Sequence, residues 1–129
     1  MGNRYKDWLD QAKRDLEHAV LSKENAHHEW ACFSAEQAAE KAVKALVMYL
    51  GGEPWGHSVL KLLQSLPADK PACADLLDCA RRLDRFYIPP RYPNGFDQGK
   101  PADYFTGADA EGAIADAEKI ISLCRCSIH

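Results

Sequence analysis

The chain has 129 residues, of which 47% are hydrophobic and 27% charged, and this composition is typical of one folded domain with one core. The formal net charge of −3 excludes long, nonspecific wrapping of nucleic acid, which requires a strongly basic surface, but it leaves room for a small phosphate pocket. The sequence shows neither a signal-peptide core near its start nor an apolar run as long as a membrane span. We therefore expect a single domain over residues 1–129, located in the cytoplasm and not in a membrane.

The first two predicted helices carry apolar residues at the helical period. Residues 3–24 place apolar side chains on one face, and Asn3 can cap the start. Residues 29–50 form a longer helix that is rich in alanine and ends at Gly51-Gly52, a typical signal for a helix end. The small side chains of this second helix allow other helices to approach it on more than one side, which predicts a central position in the fold.

Two shorter helices and one long loop are predicted next. A helix over residues 58–66 is closed by Pro67, and another over residues 71–87 is ended by Pro89-Pro90. Residues 88–107 contain four prolines and three glycines. A connection of this length is either disordered or functional, and its four aromatic residues favour an ordered, packed loop.

A last helix follows, capped by Thr106 or Asp109, with an apolar stripe that runs to Cys124. No segment has the alternating pattern of a strand. Four or five amphipathic helices with mostly short connections predict an all-α, up-and-down bundle with one long Pro/Gly-rich loop before the last helix.

The cysteines do not predict a metal site. Their number is five, and in a chain without an export signal we expect reduced thiols. Neither Cys124-Arg-Cys126 nor the group of His27, His28 and Cys32 has the paired Cys-x-x-Cys spacing of a zinc site.

Four positively charged or polar positions and one tyrosine are candidates for binding a nucleotide or phosphate. Lys41 and Lys44 lie three residues apart on the second helix and could meet one anion, although pairing with Glu36 and Glu40 is an equal alternative. His57 precedes a helix N-terminus, where backbone N–H groups favour a phosphate, and its alternative is a surface capping role.

Arg91 and Tyr92 stand between prolines, which restrict the backbone before any ligand arrives. Arginine suits bidentate phosphate recognition, and a tyrosine ring can stack on a base. The alternative is structural: Tyr92 fills the end of the bundle and Arg91 pairs with Asp84. We expect Asp84 and Tyr87 to hold the loop in register, and Gln37 and Glu40 to be buried hydrogen-bonding partners of the same loop.

Three stretches of the chain, in this order, resemble the HEPN family, named for higher eukaryotes and prokaryotes nucleotide-binding. They are AEQAAEKAVKAL with Phe33 upstream, the His57-Ser58-Val59 start followed by LKLL, and LDRFYIPPRYPNG. The final stretch, PADYFTGADAEGAIADAEKII, is also similar to the end of that domain, so the resemblance covers about Trp8 to Ile121.

This resemblance implies a bundle of four or five helices, commonly a homodimer, in small prokaryotic proteins often encoded beside a minimal nucleotidyltransferase. Many such pairs act as toxin and antitoxin. Other members are ribonucleases that cleave RNA without metal, using an Arg followed by His after four to six intervening residues.

The ribonuclease motif is missing here. None of the five histidines follows an Arg at that spacing, and the near misses, Arg14 with His18 and Arg125 with His129, have only three residues between them. We therefore predict a nucleotide-binding or nucleotidyltransferase-partner module, of the kind found in toxin–antitoxin pairs, that needs no cofactor and does not take RNA as its main ligand. The missing motif favours a protein without enzymatic activity but leaves that question open. A metal-independent RNase toxin and a purely structural interaction subunit remain as alternatives.

Overall fold

Residues 3–128 are described by a computed structural model, and they form an all-α bundle. No strand occurs within this range, so the predicted fold class is confirmed. The helices are α1 (Tyr5–Glu24), α2 (His28–Tyr49), α3 (Val59–Gln64), α4 (Ala74–Asp84), α5 (Pro101–Tyr104) and α6 (Gly107–Ser127), with a 3₁₀ turn at Pro93–Gly95. None of the described helices combines the length and the apolar character that a membrane crossing requires.

The alanine-rich helix α2 is the centre of the bundle, as predicted. It packs against α1 and α6, and also contacts α3 and α4. Its alanines at 31, 35, 38, 39, 42 and 45 are fully buried. Because alanine side chains are short, the axes of the neighbouring helices can come close on several sides of α2, and 13 of the 22 residues of this helix are buried.

Helices α3 and α4 are shorter than predicted. The fourth helix begins at Ala74 and ends at Asp84, three residues before the predicted end at Tyr87. The amide of Phe86 bonds the carbonyl of Leu83, so the chain tightens into a turn here. The segment after Asp84 is therefore free to change direction and cross the end of α2.

The long loop is ordered, as its aromatic residues predicted. Pro90 is buried, and the rings of Phe96 and Tyr104 stack with centroids 4.3 Å apart. Phe105 packs against both Phe86 and Phe96. Thr106 then caps α6, accepting from the amide of Asp109, whose carboxylate accepts in return from the Thr106 amide.

Candidate functional site

One face of α2 carries three polar residues at intervals of four, Glu36, Glu40 and Lys44. Residues four apart on a helix are neighbours, so each can contact the next. Lys44 Nζ lies 3.0 Å from Glu40 Oε2, and this pair is almost inaccessible to solvent. Gln37 Nε2 donates to Glu36 Oε1 at 2.8 Å and lies 3.4 Å from Glu40 Oε1. The central helix therefore carries a buried polar network, not a solvated stripe.

His57 extends this network to the surface. Its Nδ1 is 3.2 Å from Glu40 Oε2, and its ring stacks on Tyr87 with centroids 4.7 Å apart. The carboxylate and the tyrosine ring together fix the orientation of the imidazole. The side chain remains 58% exposed, and the described residues provide no hydrogen-bond partner for the other ring nitrogen, Nε2. That nitrogen is available to a ligand.

Arg91 is held by aromatic rings and not by a carboxylate. Its Cζ lies 4.5 Å from the centroid of Phe33, 4.7 Å from that of Tyr87 and 5.1 Å from that of Tyr92. Nε donates to the backbone carbonyl of Tyr87 at 2.7 Å. Within residues 3–128 no acidic group forms an ion pair with this guanidinium, so its terminal nitrogens can still bind an anion.

The structural alternative for Arg91, an ion pair with Asp84, is wrong. Asp84 instead caps α3: Oδ1 accepts from the amide of Val59 at 2.7 Å, and Oδ2 accepts from Ser58 Oγ at 2.7 Å and from the amide of Leu60 at 3.2 Å. Because unpaired N–H groups concentrate at a helix start, they capture this carboxylate more effectively than a surface arginine does.

The loop-anchoring roles predicted for four residues are distributed differently in the structure. Asp84 fixes the start of α3 and, through it, the position of His57. Tyr87 does hold the loop, since its carbonyl and ring both contact Arg91. Gln37 and Glu40 are part-buried and buried as expected, but they bond to Glu36 and His57 and not to the loop.

The two candidate lysines do not face a common anion. Lys41 Nζ pairs with Asp15 of α1, and Lys44 pairs with Glu40 while its ammonium lies 5.5 Å from the Trp8 ring centroid. Glu40 contacts both Lys44 and His57, and Tyr87 contacts both His57 and Arg91, which in turn lies against Tyr92. Four of the five candidate residues therefore belong to one connected group, whereas Lys41 faces α1. Lys44 thus has one of the partners that the sequence alternative named, whereas Lys41 pairs with neither Glu36 nor Glu40.

Glu36 is a member of the network that the sequence reasoning did not assign. It is fully buried, and burial is the main cause that raises its pKa to about 9. The hydrogen bond from Gln37 lowers this pKa, whereas the charges of Glu40 and Asp84 raise it further. The spacing of Glu36, Glu40 and Lys44 was a visible signal, but polar residues at such intervals usually form a solvated face.

The near misses to the ribonuclease motif lie away from this network. Arg14 pairs with Glu17, and His18 Nδ1 is 2.7 Å from Ser34 Oγ. His129, the second histidine of this kind, lies outside the described residues. Residues 3–128 also contain no group of three or more His, Cys, Asp or Glu side chains that could hold a metal ion.

Comparison with known proteins gives consistent matches over nearly the whole chain. A family model described as "HEPN domain" matches residues 5–127. The crystal structure of TT1696 from Thermus thermophilus is 42% identical, covers 98% of this chain and 100% of its own, and superposes with a TM-score of 0.96. That of ST0689, an archaeal HEPN homologue, is also 42% identical, covers 100% of both chains and has a TM-score of 0.83.

A curated relative from Methanocaldococcus jannaschii carries the name "Putative toxin MJ1304". It is 25% identical over 127 residues, which is 92% of this chain and 84% of the relative.

Proposed function

The chain belongs to the HEPN domain family, and we propose that it is a non-catalytic module that binds a nucleotide through Arg91, Tyr92 and His57. The observation that carries this proposal is the environment of Arg91: a cation fixed by three aromatic rings, with no carboxylate partner in the described part of the chain. A guanidinium that is immobilised before binding loses little conformational entropy when it meets a phosphate.

The groups next to Arg91 fit the remainder of a nucleotide. Tyr92 is 47% exposed and presents a ring on which a base can stack, a contact that tolerates any base. His57 offers a second polar contact through its exposed Nε2. Lys44 balances the charge of Glu40, so the buried carboxylate does not cancel the attraction that Arg91 exerts on an anion.

The second part of the proposal concerns the partner. We propose that the module acts as a homodimer beside a minimal nucleotidyltransferase in a toxin–antitoxin pair. The support is the family resemblance, the toxin name of the M. jannaschii relative and a half-exposed apolar surface around Arg91, formed by Trp30, Ile88 and Tyr92. Exposed aromatic side chains beside an arginine are typical of protein interfaces.

Calorimetry with ATP, GTP, CTP and UTP tests the nucleotide proposal. We expect Arg91→Ala to weaken nucleotide binding at least about tenfold, because a charge-assisted hydrogen bond contributes about 1.5–3 kcal/mol. The control is Arg85→Ala, which removes an exposed arginine of equal charge near the end of α4. If Arg85→Ala lowered the nucleotide affinity as much as Arg91→Ala, the loss of affinity would be due to net charge alone. If the wild type gave no heat with any nucleotide, the binding proposal would be refuted.

One observation favours a second function, metal-independent RNA cleavage. Glu40 orients His57, as a carboxylate orients a catalytic histidine, and the Arg91 guanidinium lies against the same Tyr87 ring on which His57 stacks. An imidazole could transfer a proton while a guanidinium stabilises the negative charge that develops on the non-bridging phosphate oxygens.

RNA incubated with the protein in EDTA distinguishes the two functions. Under the binding proposal the RNA stays intact. Cleavage that persists in EDTA and disappears in His57→Asn, but not in His18→Asn, would establish the ribonuclease in its place. His18 is a suitable control because it contacts Ser34 and takes no part in the Glu40 network.

A further inference from the structure

One carboxyl oxygen of Glu36 is buried without a hydrogen-bond partner among the described residues. The residue is fully buried, and this oxygen is its Oε2. Oε1 accepts from Gln37 Nε2, and the same nitrogen also faces Glu40 Oε1, so that one amide bridges two carboxyl groups on one face of α2. A buried oxygen that only accepts and finds no donor costs about 1–3 kcal/mol. A protonated oxygen can instead donate to a neighbouring carboxylate.

We propose that Glu36 is a positioning residue, whose protonated carboxyl group donates a hydrogen bond to Glu40 and thereby holds the carboxylate that orients His57. This inference rests on the proposed function, since it gives His57 a fixed orientation in the nucleotide site. Glu36 itself is too deeply buried to touch a ligand, so it acts through Glu40 alone.

The surroundings of Glu36 keep it protonated at neutral pH. Burial is the largest cause that raises its pKa to about 9, and Glu40 on the same helix and Asp84 on α4 raise it as well. The other donors of the network, Lys44 and His57, both bind Oε2 of Glu40 and not Glu36. If Glu36 were ionised as well, the Gln37 amide would be its one hydrogen-bond donor among the described residues. A single neutral donor does not compensate for the cost of burying a second negative charge beside Glu40.

Glu40 also needs this donor. Its Oε2 accepts from Lys44 at 3.0 Å and from His57 at 3.2 Å, but the one donor to Oε1 among residues 3–128 is Gln37, at 3.4 Å. A buried carboxylate is well held when both oxygens have short partners. Without the proton on Glu36, Glu40 can rotate away, and His57 loses the acceptor that favours a proton on Nδ1.

Two NMR measurements test the inference without any nucleotide. The carbon resonance of the Glu36 carboxyl group in the wild type is expected to stay at its protonated position at about pH 7, whereas an ionised Glu36 at that pH would overturn the proposal. The ring nitrogen resonances of His57 at about pH 8 show which nitrogen carries the proton when the imidazole is neutral.

The variants Glu36→Gln and Glu36→Leu form a matched pair for the second measurement. Glutamine keeps a donor next to Glu40, so the Nδ1–H form of His57 should dominate as in the wild type. Leucine removes the donor, and the ratio of Nδ1–H to Nε2–H is expected to fall at least about twofold. The same ratio in both variants would refute the positioning role. Calorimetry on the wild type reports separately on the nucleotide site, so the two proposals can fail independently.

Discussion

Replacing Asp84 by alanine is expected to lower the free energy of unfolding by about 3 kcal/mol, because one carboxylate satisfies three donors at the start of α3. These donors are Ser58 Oγ and the amides of Val59 and Leu60. Alanine leaves the two amides of the first helical turn without this acceptor. Denaturant unfolding followed by circular dichroism measures the loss.

The control for this prediction is Asp78→Ala, on the same helix. Asp78 is an exposed acid whose ion pair with Arg81 is also exposed. Such surface pairs contribute little, so the stability should change by less than about 0.5 kcal/mol. Asp84→Asn should fall between the two variants, because an amide keeps one accepting oxygen and replaces the other by a donor. Equal effects at positions 78 and 84 would mean that the cap contributes nothing beyond ordinary surface charge.

Asp84→Ala should also disturb the candidate site, since His57 immediately precedes the capped turn. The side chain that fixes α3 therefore also fixes the distance between His57 and Glu40. The sequence placed Asp84 near the functional loop, and the one partner that it suggested as an alternative, Arg91, is not the partner in the structure. Whether the Asp84 carboxylate binds the N–H groups of α3 or the guanidinium of Arg91 depends on how α3 packs beside the end of α4. No local sequence pattern encodes that packing.

The bundle could be predicted from the sequence because its signals are local. Helical periodicity, the Gly51-Gly52 end signal and the alanines of α2 act within one element and need no knowledge of the others. The ordered state of the long loop could also be inferred, since Phe96, Tyr104 and Phe105 supply enough apolar surface for packing. Helix ends were less predictable, because the turn after Asp84 depends on tertiary contacts.

The candidate site was predictable only in part, and the two lysines show why. Lys41 and Lys44 are three residues apart, so they point about 60° away from each other around the helix axis. This angle was sufficient to direct Lys41 to Asp15 on α1 and Lys44 to Glu40. Side chains that share a helix face can bind one anion only if no acid on a neighbouring helix is closer, and the sequence alone does not give those distances.

Glu36 shows the other limit of sequence reasoning. In a sequence its carboxyl group looks like one more charge on a polar stripe, next to Gln37 and Glu40. The fold buries it completely, and burial changes both its charge and its role. The sequence evidence for this was the mixture of alanines and acids on a helix that was predicted to be central.

Replacing Glu36 by glutamine is expected to stabilise the protein by as much as about 5 kcal/mol at about pH 8 and by less than about 1 kcal/mol at about pH 4.5, since each pH unit between the two pKa values changes the stability by about 1.4 kcal/mol. The folded chain keeps the Glu36 proton up to its raised pKa of about 9, whereas the unfolded chain releases it above the ordinary pKa of 4.5. Between these values the unfolded state binds fewer protons than the folded state, so wild-type stability falls as the pH rises. Glutamine has no proton to release and keeps a donor for Glu40, so the variant is free of this loss of stability.

Chemical denaturation of the wild type and of Glu36→Gln at the two pH values gives the difference between their free energies of unfolding. The contributions of all other titrating groups cancel in this difference. Glu111→Gln on α6 is the matched control, since Glu111 is exposed and its substitution should leave the difference near zero at either pH. A destabilised Glu36→Gln variant at about pH 8 would mean that Glu36 is ionised in the folded state and stabilises it as an anion. In that case Glu36 could not donate to Glu40, and the orientation of His57 would have to depend on Lys44 and Tyr87 alone.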